Sequence, residues 1–512
     1  MKQRSSGILM HLSSLPGPYG IGSMGREAFH FIDFLHKAGQ HYWQILPLVP
    51  TGLGNSPYMS PSVFAGNPLL IDLELLVEDG LLTWQEVSTA RAVNPDQVDP
   101  QWVNRTHPAL LKLAYQRADA DTKNAAADFA QQEADWLPDY ALFSAATQHF
   151  GGCSLAYWPD KALLHREPEA MEKYRALLSE EIQYHIFCQY LFFKQWNAVH
   201  SYAKANDVQI IGDLPIYISD HSADLWAHPE YFQVDKDYKL TAVAGVPADA
   251  FSETGQRWGN PLYNWENHEK DGFAWWSRRI QKNLAFYDVM RFDHFRGFDT
   301  YWAIDPDCEN ALIGQWHKGP GMKLINALRK NVPEADFIAE DLGLLSPSAY
   351  QLVADSGLPG MRVLVDAFDP SGTSSFLPHA CPQNAVMYTS THDTPTFVQW
   401  LTVQSSQEER DFATRYLRLR DDEGLGWGAV CGAWGSPCQL AIASFQDVLG
   451  LGADARMNTP GTSGTHNWGW RVRREAINDE VAHRLRVITQ TYGRLVPKQE
   501  PPKAEKEAAE ED

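Results

Sequence analysis

The chain has no apolar run long enough to cross a bilayer, which takes about 20 residues. Its opening, MKQRSSGILMHLSSLPG, sets Lys2 and Arg4 before an apolar stretch too short for a signal peptide. Cysteine is scarce. The six thiols form no Cys-x-x-Cys pair, so neither a zinc site nor a redox motif is signalled. In a chain of this length they read as reduced thiols, and the expected location is cytoplasmic. Histidine lacks metal-ligand spacing: no His-Glu-x-x-His and no His-x-His occurs. Asp366 and Asp369 have no glycine-centred calcium loop around them and read as a solvated loop. No metal is therefore expected. Positive charge is also short. Lys and Arg number 43 against 64 Asp and Glu, a formal charge of −21. That argues against nucleic acid or an anionic membrane as main partners, since both want a basic face.

The sequence argues against a dinucleotide site on similar grounds. Gly20-Ile21-Gly22-Ser23-Met24-Gly25 has the glycine spacing, but the fingerprint needs a strand running straight into it and an acid about 20 residues on. A loop from Ser13 to Tyr19 intervenes, and Tyr42-Trp43-Gln44 occupy the place of the acid. These glycines read as letting a loop approach something closely.

What the chain does have is apolar mass, 44% of its 512 residues, and 12% aromatics with 18 Trp and 20 Tyr. Such rings serve a large core, or stack flat on a ligand. Short β-like runs recur: Gly7 to Leu12, Tyr42 to Leu48, Val208 to Ile218, Asp288 to His294, Asp336 to Glu340, Met361 to Val365, Ala385 to Thr391 and a last one near Ala455 to Asn458. Most are apolar rather than alternating, as strands covered on both faces should be. Helical periodicity separates them, over Arg26 to Ala38, Ile182 to Val199 and Gly321 to Leu328. In the second of these, Ile186, Tyr190, Phe193 and Trp196 share one stripe. Alternating strands and helices imply a parallel sheet, and about eight units close an α/β barrel of the (β/α)8 or TIM type. The segment of about 73–180 is rich in Ala, Glu, Gln and Asp and predicts a helical insertion. The stretch 219–265, rich in Gly, Pro, Asp and Trp, predicts a structured loop at the C-terminal mouth, where barrel active sites sit. Residues 1–496 are thus expected to form one barrel domain, and 497–512 a disordered acidic tail.

Three acids fall at the ends of three runs: Asp293, Glu340 and Asp393. In a parallel barrel all three meet at one mouth. Two carboxylates about 5–5.5 Å apart are the equipment of a retaining glycosidase, one attacking the anomeric carbon and the other serving as acid and then base. Arg291, two residues before Asp293 and on the same strand face, would favour its ionised form. The plainer alternative is that a strand-end acid caps a helix or pairs in a loop, and that His294 and His392 are satisfied core histidines.

Longer blocks decide between these. GILMHLSSLPGPYGIG, NSPYMSPSVFAGNP, IGDLPIYI, AGVPADAFSETGQRWGNPLYNW, RFDHFRGF, IAEDLG, GLPGMRVL, STHDTPT and RMNTPGT stand in order from the first strand onward. The chain closely resembles the 4-α-glucanotransferase family, the amylomaltases or disproportionating enzymes of glycoside hydrolase family 77 in the α-amylase clan. The likeness runs from Ser6 to about Val496. It implies a (β/α)8 barrel with inserted subdomains. It implies Asp293 as nucleophile, Glu340 as acid/base, and Asp393 as the third carboxylate, holding sugar hydroxyls. It places Arg291, His294 and His392 around the sugar that is cut, and Asp213 in a supporting hydrogen-bond role. Tyr58 resembles the aromatic platform, with Ser56 beside it, and Asp249 and Trp258 lie in a lid-like loop. The chain departs from the family wording at Ala248, Phe292 and Ser390 and, after RMNTPGT, over Ser463 to Trp468, none of which removes a catalytic group. The implied partners are α-1,4-glucans, maltooligosaccharides and glucose, with no cofactor.

Overall fold

In the computed structural model of the protein, residues 3–248, 252–343, 345–462, 464 and 466–497 are described. Twelve strands occur among them, in chain order β1 (Ser5–Leu9), β2 (Tyr42–Gln44), β3 (Gln209–Leu214), β4 (Val243–Val246), β5 (Gln256–Pro261), β6 (Val289–Phe292), β7 (Thr300–Ile304), β8 (Gln315–Lys318), β9 (Asp336–Ala339), β10 (Gly360–Val363), β11 (Ala385–Tyr388) and β12 (Leu440–Ser444). Eight of them close a barrel in the order β1-β2-β3-β6-β9-β10-β11-β12. All its pairings are parallel. Every residue of β1, β6, β11 and β12 is buried, the mark of strands covered on both faces. The expected barrel is present.

The strands end earlier than the apolar runs suggest. Leu46 to Leu48, Pro215 to Ile218 and Asp293-His294 all lie past the ladder, in loops at the mouth. The closing strand is also not the one expected. Ala455 to Asn458 is no strand; a 3-10 turn at Ala453–Ala455 leads into a loop whose Asn458 N–H donates to the His392 carbonyl. Closure comes from β12, with Ser5 paired to Leu440 and Leu9 to Ser444. Three of the five residues of its sequence, LAIAS, are small and of weak strand propensity, so its signal is faint.

Helices flank the barrel where periodicity predicts them, at Arg26–Lys37, Ser179–Ala205 and Met322–Asn331. The 73–180 insertion is helical, with Pro100–Arg117, Ala120–Gln132, Leu137–His149 and Pro168–Leu177 as its longer members. The first two starts follow capping chemistry. Asp99 caps the first with Pro100 at the opening position, and Asp119 caps the second. Six tryptophans, at 43, 158, 196, 226, 276 and 434, are fully buried, so the aromatic surplus serves mainly the core.

The 219–265 stretch is more regular than the loop expected of it. It supplies β4 and β5 to an antiparallel sheet in the order β5-β4-β7-β8, whose other strands come from the segment after β6. Gly245 and a register shift in β4 hide the strand pattern there; a side chain at Gly245 would meet the Gln256 carbonyl. The glycines of the false dinucleotide motif pack a loop tightly, and a side chain at Gly22 would collide with the Leu12 carbonyl. Asp369 caps its own turn, accepting from the Ser371 N–H.

Candidate active site

The barrel register sets the site. Asp213 on β3 pairs with Arg291 on β6, so both side chains share one face. Arg291 Nη1 donates to Asp213 Oδ2 at 2.6 Å and Oδ1 at 2.8 Å. The same nitrogen reaches Asp293 Oδ1 at 3.1 Å, and Nη2 lies 3.6 Å from Glu340 Oε2. The side chain of Asp213 is 0% exposed and that of Arg291 3%, whereas Asp293, Glu340 and Asp393 are 23%, 15% and 37% exposed. One buried ion pair therefore forms the floor, and three acids open toward the mouth. Arg291 grips Asp213 more closely than Asp293, so its first task is to neutralise the floor.

The backbone after β6 turns sharply. His294 sits in the left-handed region at φ 48° and ψ 50°, uncommon for a residue with a side chain. That turn aims its N–H at Glu340 Oε2. The Glu340 N–H in turn donates to the Phe292 carbonyl at 3.0 Å, and the Asp293 N–H to the Leu214 carbonyl at 3.1 Å. The two acids are fixed from adjacent strands. Trp258, on β5, stands edge-on over the His294 ring, centroids 4.9 Å apart at 90°. Burial, and then Arg296, push the His294 imidazole down to about 3, so it is neutral. The Arg296 guanidinium itself stacks 4.5 Å over Trp316.

Tyr58 links the floor to the third acid. Its hydroxyl lies 2.8 Å from Asp213 Oδ2 and 2.7 Å from His392 Nε2. A phenol has one proton, and the carboxylate can only accept it. Tyr58 therefore donates to Asp213 and accepts from a protonated Nε2 of His392. That nitrogen is also 3.2 Å from Asp393 Oδ2. The Tyr58 and His392 rings stack at 5.5 Å and 10°. Ser56 shapes this loop; its Oγ accepts from the Tyr58 N–H at 3.2 Å.

Charge separates the acids. Burial raises Asp293, which Arg291 opposes and Asp213 reinforces. Burial raises Glu340 further, again against Arg291 and with help from Asp293. Asp393 goes the other way. Burial resists its charge, but His392 and the Asn458 amide, 2.6 Å from Oδ1, hold it below the usual carboxylate range. Burial would lower His392, yet Asp393 outweighs it and the net shift is upward. At neutral pH this set keeps a proton on Glu340 and charge on Asp393.

The structure brings together Ser56, Tyr58, Asp213, Trp258, Arg291, His294, Glu340, His392, Asp293 and Asp393. Asp249 lies outside the described residues. Sequence reasoning assigned no part to Asn458, to Arg456, whose Nη2 donates to the Asp393 carbonyl, or to Trp468, 5.7 Å from the Tyr58 ring. The RMNTPGT block held the first two in view, but its strand assignment hid their direction. Among the described residues no group of three or more His, Cys, Asp or Glu could hold a metal ion. No helix among them is long and apolar enough to cross a membrane.

A (β/α)8 barrel with an Asp, a Glu and a second Asp around one arginine at its C-terminal mouth is the class of barrel enzymes that act on glycosidic bonds. The sequence pattern described as 4-alpha-glucanotransferase matches residues 10–477, and the chain belongs to that family. It is 42% identical over 487 residues to the 4-alpha-glucanotransferase of Clostridium butyricum, covering 95% of this chain and 100% of that one. With the Thermus thermophilus 4-alpha-glucanotransferase it shares 43% over 503 residues, 96% of this chain and 99% of that one. Among solved structures, an amylomaltase from Streptococcus agalactiae in complex with acarbose superposes with a TM-score of 0.93 at 40% identity, covering 96% of this chain and 100% of that one.

Proposed function

We propose that the protein transfers α-1,4-glucan segments from one glucan to the 4-hydroxyl of another glucan or of glucose, with retention, through a glucosyl ester on Asp293. The observation that carries this reading is the split among three acids around Arg291: Glu340 is raised furthest, Asp293 less, and Asp393 is lowered. Glu340 then donates a proton to the leaving glycosidic oxygen while Asp293 bonds to the anomeric carbon. The reducing-side fragment departs. Glu340, now a base, takes the proton of an incoming sugar hydroxyl, whose oxygen displaces Asp293. Asp393, oriented by His392 and Asn458, holds hydroxyls of the reacting sugar.

Transfer must outrun hydrolysis although water is abundant. An aromatic acceptor site does this by positioning a sugar hydroxyl and excluding water. Trp258 beside His294 supplies such a surface, and Asp249 belongs to the same proposed lid. Tyr58 and Trp468 flank His392 as a platform for the sugar on the other side. Incubation with maltotriose tests the reading. Transfer gives a ladder of longer and shorter sugars together with glucose. A hydrolase of the same fold gives shorter sugars only, and a glucan-binding protein without catalysis gives no product.

A further inference from the structure

Beside His392 lies a small cavity of about 20 Å³, lined by apolar Leu9, Leu46, Met457 and Trp470 and, on its polar side, by Thr391, His392, Ser444, Gln446 and, from the segment just past β1, His11. Both histidines are more than nine-tenths buried, His392 at 5% exposed and His11 at 9%. Their Nδ1 atoms are buried and have no hydrogen-bond partner among the described residues. An orphaned ring nitrogen in a protein interior is costly, and two of them on histidines that line one small cavity point to a shared occupant. A water needs about 10–15 Å³ and two to four polar partners, and this cavity meets the first condition for one molecule. We propose that His11 is a positioning residue for His392, holding its cavity-side nitrogen through one bound water.

The hydrogen-bond directions follow from the other side of the ring. Nε2 of His392 already carries a proton, because Tyr58 must spend its own on Asp213. Nδ1 therefore decides whether the ring is neutral or cationic. The groups facing it are Asp393 and Tyr58 at Nε2, then Asp213, Arg291 and His11 from β3, β6 and the end of β1. His11 stays neutral, pushed down to about 3 by burial and then by His392. A neutral His11 with its hydrogen on Nε2 offers Nδ1 as an acceptor. The water then accepts from His392 Nδ1–H and donates to His11 Nδ1. That chain favours the cationic ring, whose Nε2–H is what holds Asp393 Oδ2 at 3.2 Å. His11 touches no sugar in this arrangement; it acts through His392.

The test is the titration of His392, read by NMR on enzyme labelled with 15N in histidine, its signal assigned by loss in His392→Gln. This readout is independent of whether the reaction is transfer or hydrolysis. In His11→Phe the His392 midpoint should fall by about one pH unit, the effect of losing a hydrogen bond to a charged group. His11→Asn, whose amide sits where Nδ1 was, should restore most of the shift. His11→Gln, whose amide reaches the Nε2 position, should not. An unmoved midpoint in His11→Phe, or Asn and Gln variants that behave alike, overturns the proposal and leaves His11 a packing residue. If the Phe variant does not fold, the contrast between Asn and Gln carries the test.

Discussion

Arg291 faces three carboxylates, Asp213, Asp293 and Glu340, and one guanidinium cannot neutralise them all. The surplus negative charge, in a buried setting, keeps a proton on the acid raised furthest. Glu340→Gln should therefore lower turnover of maltotriose by about 10²–10⁴-fold, the usual worth of a general acid. The kcat/KM profile of the native enzyme should be bell-shaped. It falls on the acid side as Asp293 gains a proton, and on the alkaline side as Glu340 loses one, both above the ordinary carboxylate range. With Glu340→Gln the alkaline limb should vanish from whatever activity remains. Removing the cation strands Asp213, whose side chain is 0% exposed. Arg291→Met should cost about 3–5 kcal/mol in urea unfolding, the cost of orphaning a buried partner. The catalytic-type acids were legible in the sequence because each sits in a local block at a strand end. Asn458 and Trp468 were not, because their contacts to Asp393 and Tyr58 join segments with no shared local pattern.

Elements differ in how plainly they announce themselves. The apolar runs marked seven barrel strands, and missed the eighth because LAIAS is too small-sided to look like one. The four-stranded sheet escaped for a related reason: glycine and a register shift in β4 break the alternation that would have shown it. Close packing at the barrel wall makes a sharp test. A side chain at Gly212 on β3 would drive into the ring of Tyr287, whose hydroxyl accepts from the Leu48 N–H. Gly212→Ala should destabilise the fold by about 1–3 kcal/mol, an overpacking cost, seen as a lower urea midpoint with unchanged slope. At the mouth, Trp258 is placed by β5 rather than by a flexible loop. Trp258→Ala should raise the fraction of donor turnovers that end in water, measured as reducing sugar released per transfer product.

At the scale of the molecule, the acidic balance of −21 argues against polyanionic partners without naming a neutral one. A sugar carries no charge, so its capture gains nothing from a long-range field. The account expects kcat/KM for maltotriose to change by less than about two-fold between low salt and roughly 0.5 M NaCl. A steep decline would point to a charged ligand. The central claim is that the donor is held on Asp293 between departure of one sugar and arrival of the next. The most direct measurement is mass spectrometry of the enzyme, with Glu340→Gln to slow release, after reaction with an activated fluorinated maltosyl donor. The account predicts a mass increase of one fluorinated maltosyl group, mapped by peptide digestion to Asp293. Donor consumption with the adduct on another residue, or with inversion at the anomeric carbon and no adduct, would contradict it.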